Sequence, residues 1–404
     1  MSQKSNVYDE MGVPTVINGV GTKTRVGGTL MREEAADAMR EAATAFARIS
    51  DLQAHASELI SEVTGAEAGY VTTGAASGLT LAAAACIAGD DPGIMSDLPH
   101  TADVPREIVM PRAQRNSYDH ALRASGAIIV DAGNNDRTLG PGSTNLEPWE
   151  FEGAISEETV GVAYAPGDPT DLSMIVDVAH ENDLPVIVDA AGWLPPKGNL
   201  RRFVENGADI VVFSGGKAVR GPQSTGIVAG RSDLISSIAL QHLDMDAIVK
   251  AWDPPKSLIN PTAFDGVPRH GLGRGFKVGK EELVGLMRAL ELFVEEDTVA
   301  RSHEWHQRAE AIGDALDTLD VLDVSYQDRT TEEAATTVSV SIDEEAAGIT
   351  AIELISRLRR ENPRVYVGDR DADRGTFTVN PMSLTDDDAD TLIERVRATI
   401  VYDD

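Results

Sequence analysis

Residues 184–226, LPVIVDAAGWLPPKGNLRRFVENGADIVVFSGGKAVRGPQSTG, decide the fold. Two short apolar runs, LPVIVD and ADIVVF, flank the stretch RRFVENG, which has helical character. Each run ends in small or polar residues: Asp189 closes the first, and Ser214, Gly215, Gly216 and Lys217 follow the second. Runs that are apolar throughout, without alternation, are what strands buried on both faces require, and strands separated by helices build a parallel sheet.

The same alternation extends in both directions. Upstream, GAIIVDAG from Gly126 and TVGVAYAP from Thr159 read as strands, and DLSMIVDVAHEN from Asp171 as a helix. Earlier still, AGYVTTG from Ala68 is a strand and AASGLTLAAAACIAG a helix opened by small residues. Two further helices are expected over Arg32–Ala47, with acids in the first turn, and over Asp51–Thr64, stopping at Gly65. Downstream, residues 252–275 are rich in Pro and Gly and read as irregular, and a long helix runs from Val278 to about Glu296. The rest forms a smaller α/β unit ending in the helix DDDADTLIERVRATI. The expected organisation is α/β, with an N-terminal segment and a large, mostly parallel sheet domain over 1–275 and a small C-terminal domain over 276–404.

The 404 residues include 35 basic and 66 acidic ones, a formal net charge of −31. That balance, with no stretch dense in Lys or Arg, argues against nucleic acid and acidic membrane surfaces as partners. No run reaches the roughly 18 apolar residues of a membrane span, and the start MSQKSNVYDE does not resemble a signal peptide, so a cytoplasmic location is expected. The single cysteine, Cys86, excludes an internal disulfide and a Cys-based zinc site, no metal is expected, and Cys86 reads as a buried helical thiol. Lysine is scarce beside arginine, and a surface dense in carboxylates stays soluble at high ionic strength, which suggests a salt-loving source.

Three features in chain order carry the chemistry. The turn Thr72-Thr73-Gly74-Ala75-Ala76-Ser77-Gly78 joins a strand to a helix N-terminus, where backbone N–H groups and hydroxyls can hold a phosphate. Asp189 stands at a strand end, and Lys217 follows one strand–helix–strand unit later. A pyridoxal 5'-phosphate (PLP) enzyme needs this set: a lysine to link the cofactor aldehyde, a carboxylate to keep the pyridine nitrogen protonated and a cradle for the phosphate. Taken singly, a strand-end Asp is a common cap and a lysine a common surface group. The glycines before Lys217 and the loop RGPQSTG after it set this lysine apart.

The order TTGAASG, IVDAAG, FSGGKAVRGPQSTG and GRGFKVGKEELVGLMRALE resembles the selenocysteine-synthase-like group of fold-type-I PLP enzymes, whose folds are aspartate-aminotransferase-like. The opening VINGVGTKTRVGGTLMREEAADAMREAA and the segment PRAQRNSYDHALRASGA are similar to the D-glucosaminate-6-phosphate ammonia-lyase type within it. The resemblance implies Lys217 as the cofactor lysine and Asp189 as the partner of the ring nitrogen. It implies phosphate binding by Thr73, Gly74, Ala75, Ala76 and Ser77, with Ser214 adding a hydroxyl. A residue from Gln114, Arg115 and Asn116 is expected over the ring, and Ser224 and Thr225 are expected to act across a dimer interface. The Gln or His that relatives carry soon after the aspartate is absent, since Ala190, Ala191, Gly192 and Trp193 follow; His120 and His100 are the alternative suppliers.

The reaction implied is an ammonia-lyase elimination on a 2-amino-3-hydroxy acid, such as D-glucosaminate or its 6-phosphate: the β-hydroxyl leaves as water, and hydrolysis of the resulting enamine gives ammonia and a 2-keto-3-deoxy acid. A substrate carboxylate calls for a fixed cation, with Arg274 the first candidate and Arg25 and Arg220 the others, while Lys277 suits a phosphate. The alternative is a PLP-dependent transferase, adding selenium or sulfur to an aminoacrylate or transferring an amino group. A scaffold that has lost catalysis fits poorly with an intact Asp189 and Lys217. A nicotinamide oxidoreductase lacks its GxGxxG after the first strand.

Overall fold

A computed structural model of the chain describes residues 7–134, 146–167, 171–243, 248–263, 271–327 and 331–401. It divides into two compact units, Met31–Glu295 and a second one made of Met1–Leu30 with Glu296–Asp404.

The strands are β1 (Val16–Gly19), β2 (Ala68–Thr72), β3 (Glu107–Pro111), β4 (Ile128–Ala132), β5 (Thr159–Tyr164), β6 (Val186–Asp189), β7 (Ile210–Ser214), β8 (Gly226–Gly230), β9 (Leu322–Gln327), β10 (Thr337–Ile342), β11 (Arg364–Val367) and β12 (Thr376–Val379). The larger unit holds a seven-stranded sheet in the order β2-β8-β7-β6-β5-β3-β4. The pairs β4–β3, β3–β5, β5–β6 and β6–β7 are parallel, and β8 alone runs antiparallel to both its neighbours, β7 and β2. The mostly parallel sheet expected from the apolar runs is therefore present. Two strands escaped the pattern: EIVMP, cut short by Pro111, and GIVAG, whose glycines mask its strand character.

The helices used below are α1 (Glu33–Ala43), α2 (Ile49–Thr64), α3 (Ala75–Ala88), α4 (Leu172–Glu181), α5 (Asn199–Glu205), α6 (Ser232–Leu240), α7 (Lys280–Glu295), α8 (Thr298–Leu316), α9 (Ala351–Leu358) and α10 (Asp386–Val401). One apolar layer joins Phe203 of α5, Ile175 of α4 and Leu286 of α7 to one sheet face, and a second joins α3 and α6 to the other through Ala82–Ala85 and Ile235. The alanine run of α3 is thereby explained. Residues 82–85 are completely enclosed, and only small side chains let a helix lie this close to the strands. A Cβ on Gly78 would sit 2.9 Å from Val212 Cγ1. Cys86 lies half-buried on the same helix, and desolvation pushes its thiol pKa up to about 12, as for an inert group.

Helix α1 is shorter than expected. It ends at Ala43, and Phe46, in the connection to α2, is fully exposed. Of the Pro- and Gly-rich stretch 252–275, residues 264–270 lie outside the described residues, and the rest contains only short 3₁₀ turns.

The smaller unit contains the antiparallel sheet β12-β10-β9 and the parallel pair β1–β11, with Val16 opposite Arg364 and Gly19 opposite Val367. Its core gathers Ile17, Ile312 of α8, Leu354 of α9, Phe377 and Leu392 of α10. The boundary expected at residue 275 falls instead after Glu295, and residues 1–30 group with the C-terminal part. The physical reasons are local: α7 packs along α1, where Gly285 admits the Met39 side chain, and β1 pairs along its length with β11 and bonds Asn380 N–H through the Gly19 carbonyl. Among the described residues no helix is long and apolar enough to cross a membrane.

Candidate active site

All the parallel strands of the larger sheet end on one edge, and β8 begins there. In open α/β sheets ligands bind outside this carboxyl edge. It gathers the turn after β2, the segment Gln114–Tyr118 after β3, Asp189 at the end of β6, Ser214–Lys217 at the end of β7 and Ser224–Thr225 before β8.

The turn after β2 is shaped for close backbone approach. Gly74 adopts φ +119°, a conformation that L side chains rarely reach, and then α3 begins. The first intrahelical bond runs from Gly78 N–H to Gly74 C=O at 3.1 Å, so the N–H groups of Ala75, Ala76 and Ser77 precede the helical ladder and face out of its N-terminus. Thr72 Oγ1 donates to Gly74 C=O at 2.9 Å, and the hydroxyls of Thr73 and Ser77 lie 3.0 Å apart. Gly226 backs the turn: a Cβ there would stand 2.4 Å from the Gly74 carbonyl carbon.

Asp189 is opposite Val212 in the β6–β7 register, and its Oδ1 accepts from Ala191 N–H at 3.1 Å. Burial raises its carboxyl above the ordinary carboxylate range, with the Ala191 N–H and the charge of Lys217 pulling the other way. It lines a pocket together with Asn116, Tyr118, Tyr164 and Ile187. Lys217 lies on a turn whose shape is fixed by Gly215 N–H to Thr225 C=O and Gly221 N–H to Gly215 C=O, both 2.9 Å. Side chains at Gly215 or Gly216 would run into Thr225 or Gln223. The glycines of SGGK are thus a packing requirement.

Residues 28–370 match the model of the aminotransferase class-V family. The chain belongs to that family. It is similar to D-glucosaminate-6-phosphate ammonia lyase of Salmonella typhimurium, 29% identical over 97% of each chain. It is equally similar, 29% over 98% of this chain and 92% of the other, to 5'-C-glycyluridine monooxygenase-decarboxylase of a Streptomyces species. A solved D-glucosaminate-6-phosphate ammonia-lyase structure superposes with a TM-score of 0.80 at 26% identity, covering 98% of this chain and 99% of the other. The fold-type-I, aspartate-aminotransferase-like architecture follows from both findings.

In this class-V chain several expected site residues have different surroundings. Arg115 turns its guanidinium to Asp119 and Asp131, each at 2.6 Å, and so braces the segment whose neighbours Asn116 and Tyr118 line the pocket. Gln114 is buried, and its Oε1 accepts from Ala165 N–H at 2.8 Å, tying the same segment to the end of β5. Thr225 is fully buried and donates to Pro222 C=O at 2.6 Å, which makes it an internal brace of the lysine turn and leaves Ser224 exposed. Ser214 is half-buried opposite Gly226.

The expected substrate cations scatter. Arg220 is on the lysine turn with φ +59°, and its carbonyl accepts from Arg32 N–H at 3.1 Å. Arg274 and Lys277 are exposed and near enough to His242 to help depress its pKa. Arg25 belongs to the smaller unit and pairs with Asp369 at 3.2 Å. His120 and His100 are exposed, and neither lines the pocket.

Two groups escaped the sequence reading. Arg32 is only 9% exposed and donates from Nε to Val219 C=O at 3.3 Å, gripping the turn that bears Lys217. Its position inside a segment that reads as a helix start gave no sign of this. Tyr118 and Tyr164 line the pocket where a His or Gln was sought; the strand-end location of Tyr164 was the available signal.

Proposed function

We propose that this chain is a PLP-dependent lyase that releases ammonia from a 2-amino-3-hydroxy acid, D-glucosaminate or its 6-phosphate, to leave a 2-keto-3-deoxy acid, the water eliminated from C3 being returned at C2 when the nitrogen is hydrolysed off. One observation carries the reading. Asp189 and the Lys217 turn close adjacent parallel strands, near enough for the lysine charge to act on the carboxyl, in a chain that aligns with an ammonia lyase along 97% of its length.

The residues fit the cofactor. Outward N–H groups at the start of α3, a long helix, suit a phosphate dianion, and a buried carboxyl in the field of a lysine suits a cationic ring nitrogen. When bound, the cofactor supplies an electron sink for the carbanion at the substrate Cα. Ala75, Ala76 and Ser77 hold the phosphate, with the Thr73, Ser77 and Ser214 hydroxyls beside them. Asp189 keeps the ring nitrogen protonated, and the cation there offsets the cost of burying its carboxylate. Lys217 would hold the cofactor and, with its amine free, would take the proton from the substrate Cα. Asn116 and Tyr118 bound the pocket. Arg220, on the same turn as Lys217, is the cation proposed for the substrate carboxylate.

The chain is further proposed to act in the cytoplasm as a homodimer, with exposed Ser224 reaching the second copy's site, and at high salt, which its net charge of −31 supports.

A second reading is favoured by the equal 29% identity to a monooxygenase-decarboxylase: the same carbanion chemistry ending in decarboxylation. The test is to supply PLP-loaded protein in high salt with D-glucosaminate or its 6-phosphate and follow ammonia and keto acid beside Lys217→Ala. Equimolar release that vanishes in the variant supports the lyase. Oxygen uptake with carbon dioxide release supports the second reading, and silence toward both compounds by protein that retains borohydride-fixable cofactor overturns the substrate assignment alone.

A further inference from the structure

The smaller unit carries a groove of about 620 Å³ between α9 and the segment that follows β11. Three arginines line it, Arg359, Arg360 and Arg370, beside the apolar side chains of Ile352 and Ile355. Ile352 is 58% exposed, an unusual position for a large apolar side chain on so acidic a protein.

The arginines are not used alike. Arg359 is fixed: its Nη2 bonds Asp369 at 2.7 Å, and its guanidinium carbon lies 5.3 Å from the centre of the Tyr366 ring. Asp369 is shared with Arg25, and the two guanidinium groups hold its carboxyl below the usual carboxylate range. Arg360 and Arg370 have no ion-pair partner among the described residues, although acids outnumber bases 66 to 35 in this chain. Asp373, on the same rim, is the one further lining acid. Two unpaired guanidinium groups from separate segments, over an apolar wall, form an anion site with room for an organic body. A phosphate ester matches this best, since its dianion offers several acceptor oxygens to two planar donors at once.

We propose that this groove binds a phosphate ester, with Arg360 and Arg370 on the phosphate and Ile352 and Ile355 against the organic part. The site is argued from the smaller unit alone and is independent of the proposed lyase reaction.

Calorimetric titration of the full chain, loaded with PLP and then freed of the excess so that the cofactor's own cradle is filled and no unbound PLP competes for the groove, tests it with inorganic phosphate, glucose 6-phosphate and glucose as probes. Glucose 6-phosphate should bind saturably, at least about tenfold more tightly than glucose, and lose about tenfold or more in affinity in Arg360→Gln/Arg370→Gln. Arg374→Gln, which removes a nearby exposed arginine paired with Asp371 and not lining the groove, should bind as the parent does. If inorganic phosphate binds as well as the ester, the apolar wall takes no part and the ester assignment fails. Equal affinity in the parent and the double variant, or no saturable heat, overturns the site. Circular dichroism and PLP content of the variants separate loss of the groove from loss of the fold or of the cofactor reading.

Discussion

Gly226 abuts Gly74: any Cβ on the first residue of β8 would overlap the carbonyl carbon and oxygen of the turn that opens α3. Backbone cannot yield as a flexible side chain can, so Gly226→Ala must push the turn outward. The expected result is a fall in PLP affinity of about tenfold or more and a loss of roughly 1–3 kcal/mol in stability. Fluorescence titration with PLP and urea unfolding measure both. Gly275→Ala, which would meet nothing within 4 Å, is the control expected to leave both unchanged.

Arg32 predicts a different phenotype. Its Nε grips the Val219 carbonyl, and the residue is nearly enclosed, so Arg32→Ala leaves a buried acceptor without its donor. Stability should drop by about 1–3 kcal/mol, and turnover should fall while borohydride still fixes the cofactor to Lys217. Loss of the covalent linkage itself would show that Arg32 does more than orient the turn.

Arg115 should prove a brace of the pocket wall. With its guanidinium held by Asp119 and Asp131, Arg115→Ala should lower the melting temperature and kcat yet change PLP affinity by less than about threefold. A large loss of PLP affinity would return Arg115 to the cofactor.

His242 should set part of the acid limb of stability. Burial, with Arg274 and Lys277 adding to it, lowers its pKa from 6.5 to about 4, and its Nδ1 lies 2.5 Å from the Tyr70 hydroxyl. The unfolded chain binds this proton more readily than the native one, so the contribution is present above pH 6.5 and is lost as pH falls toward 4. The full window amounts to roughly 3 kcal/mol. Urea unfolding followed across that range should show a flatter profile in His242→Gln than in the parent.

Asp189 has the opposite sign. Its raised native pKa makes cofactor-free protein lose stability as pH rises from the ordinary carboxylate range through the native value. Asp189→Asn should remove that slope and weaken PLP binding. An unchanged slope would mean that the carboxyl is solvated.

The central strands, the small-residue turn after β2 and the strand-end positions of Asp189 and Lys217 were legible because each depends on local sequence: an apolar run, a small-residue helix start or a glycine-flanked lysine. β8 was not, since GIVAG owes its strand to neighbours that demand glycine at both ends. The partners of Arg115 and Thr225 were not legible for a related reason. Motif position brings them to the right loop, but the direction of a side chain is set by partners such as Asp131, in a different strand, and the Pro222 carbonyl. The domain boundary failed because β1 has no nearby partner in the chain.

That last pairing bears on biosynthesis. β1 leaves the ribosome long before the strand it pairs with, Arg364–Val367. At about 5–20 residues per second the wait lasts on the order of tens of seconds. The seven-stranded sheet, whose strands all lie between Ala68 and Gly230, can assemble in the meantime. The nascent chain therefore carries an unmatched strand while everything between β1 and β11 is made, an edge open meanwhile to chaperones and to neighbouring polysomes.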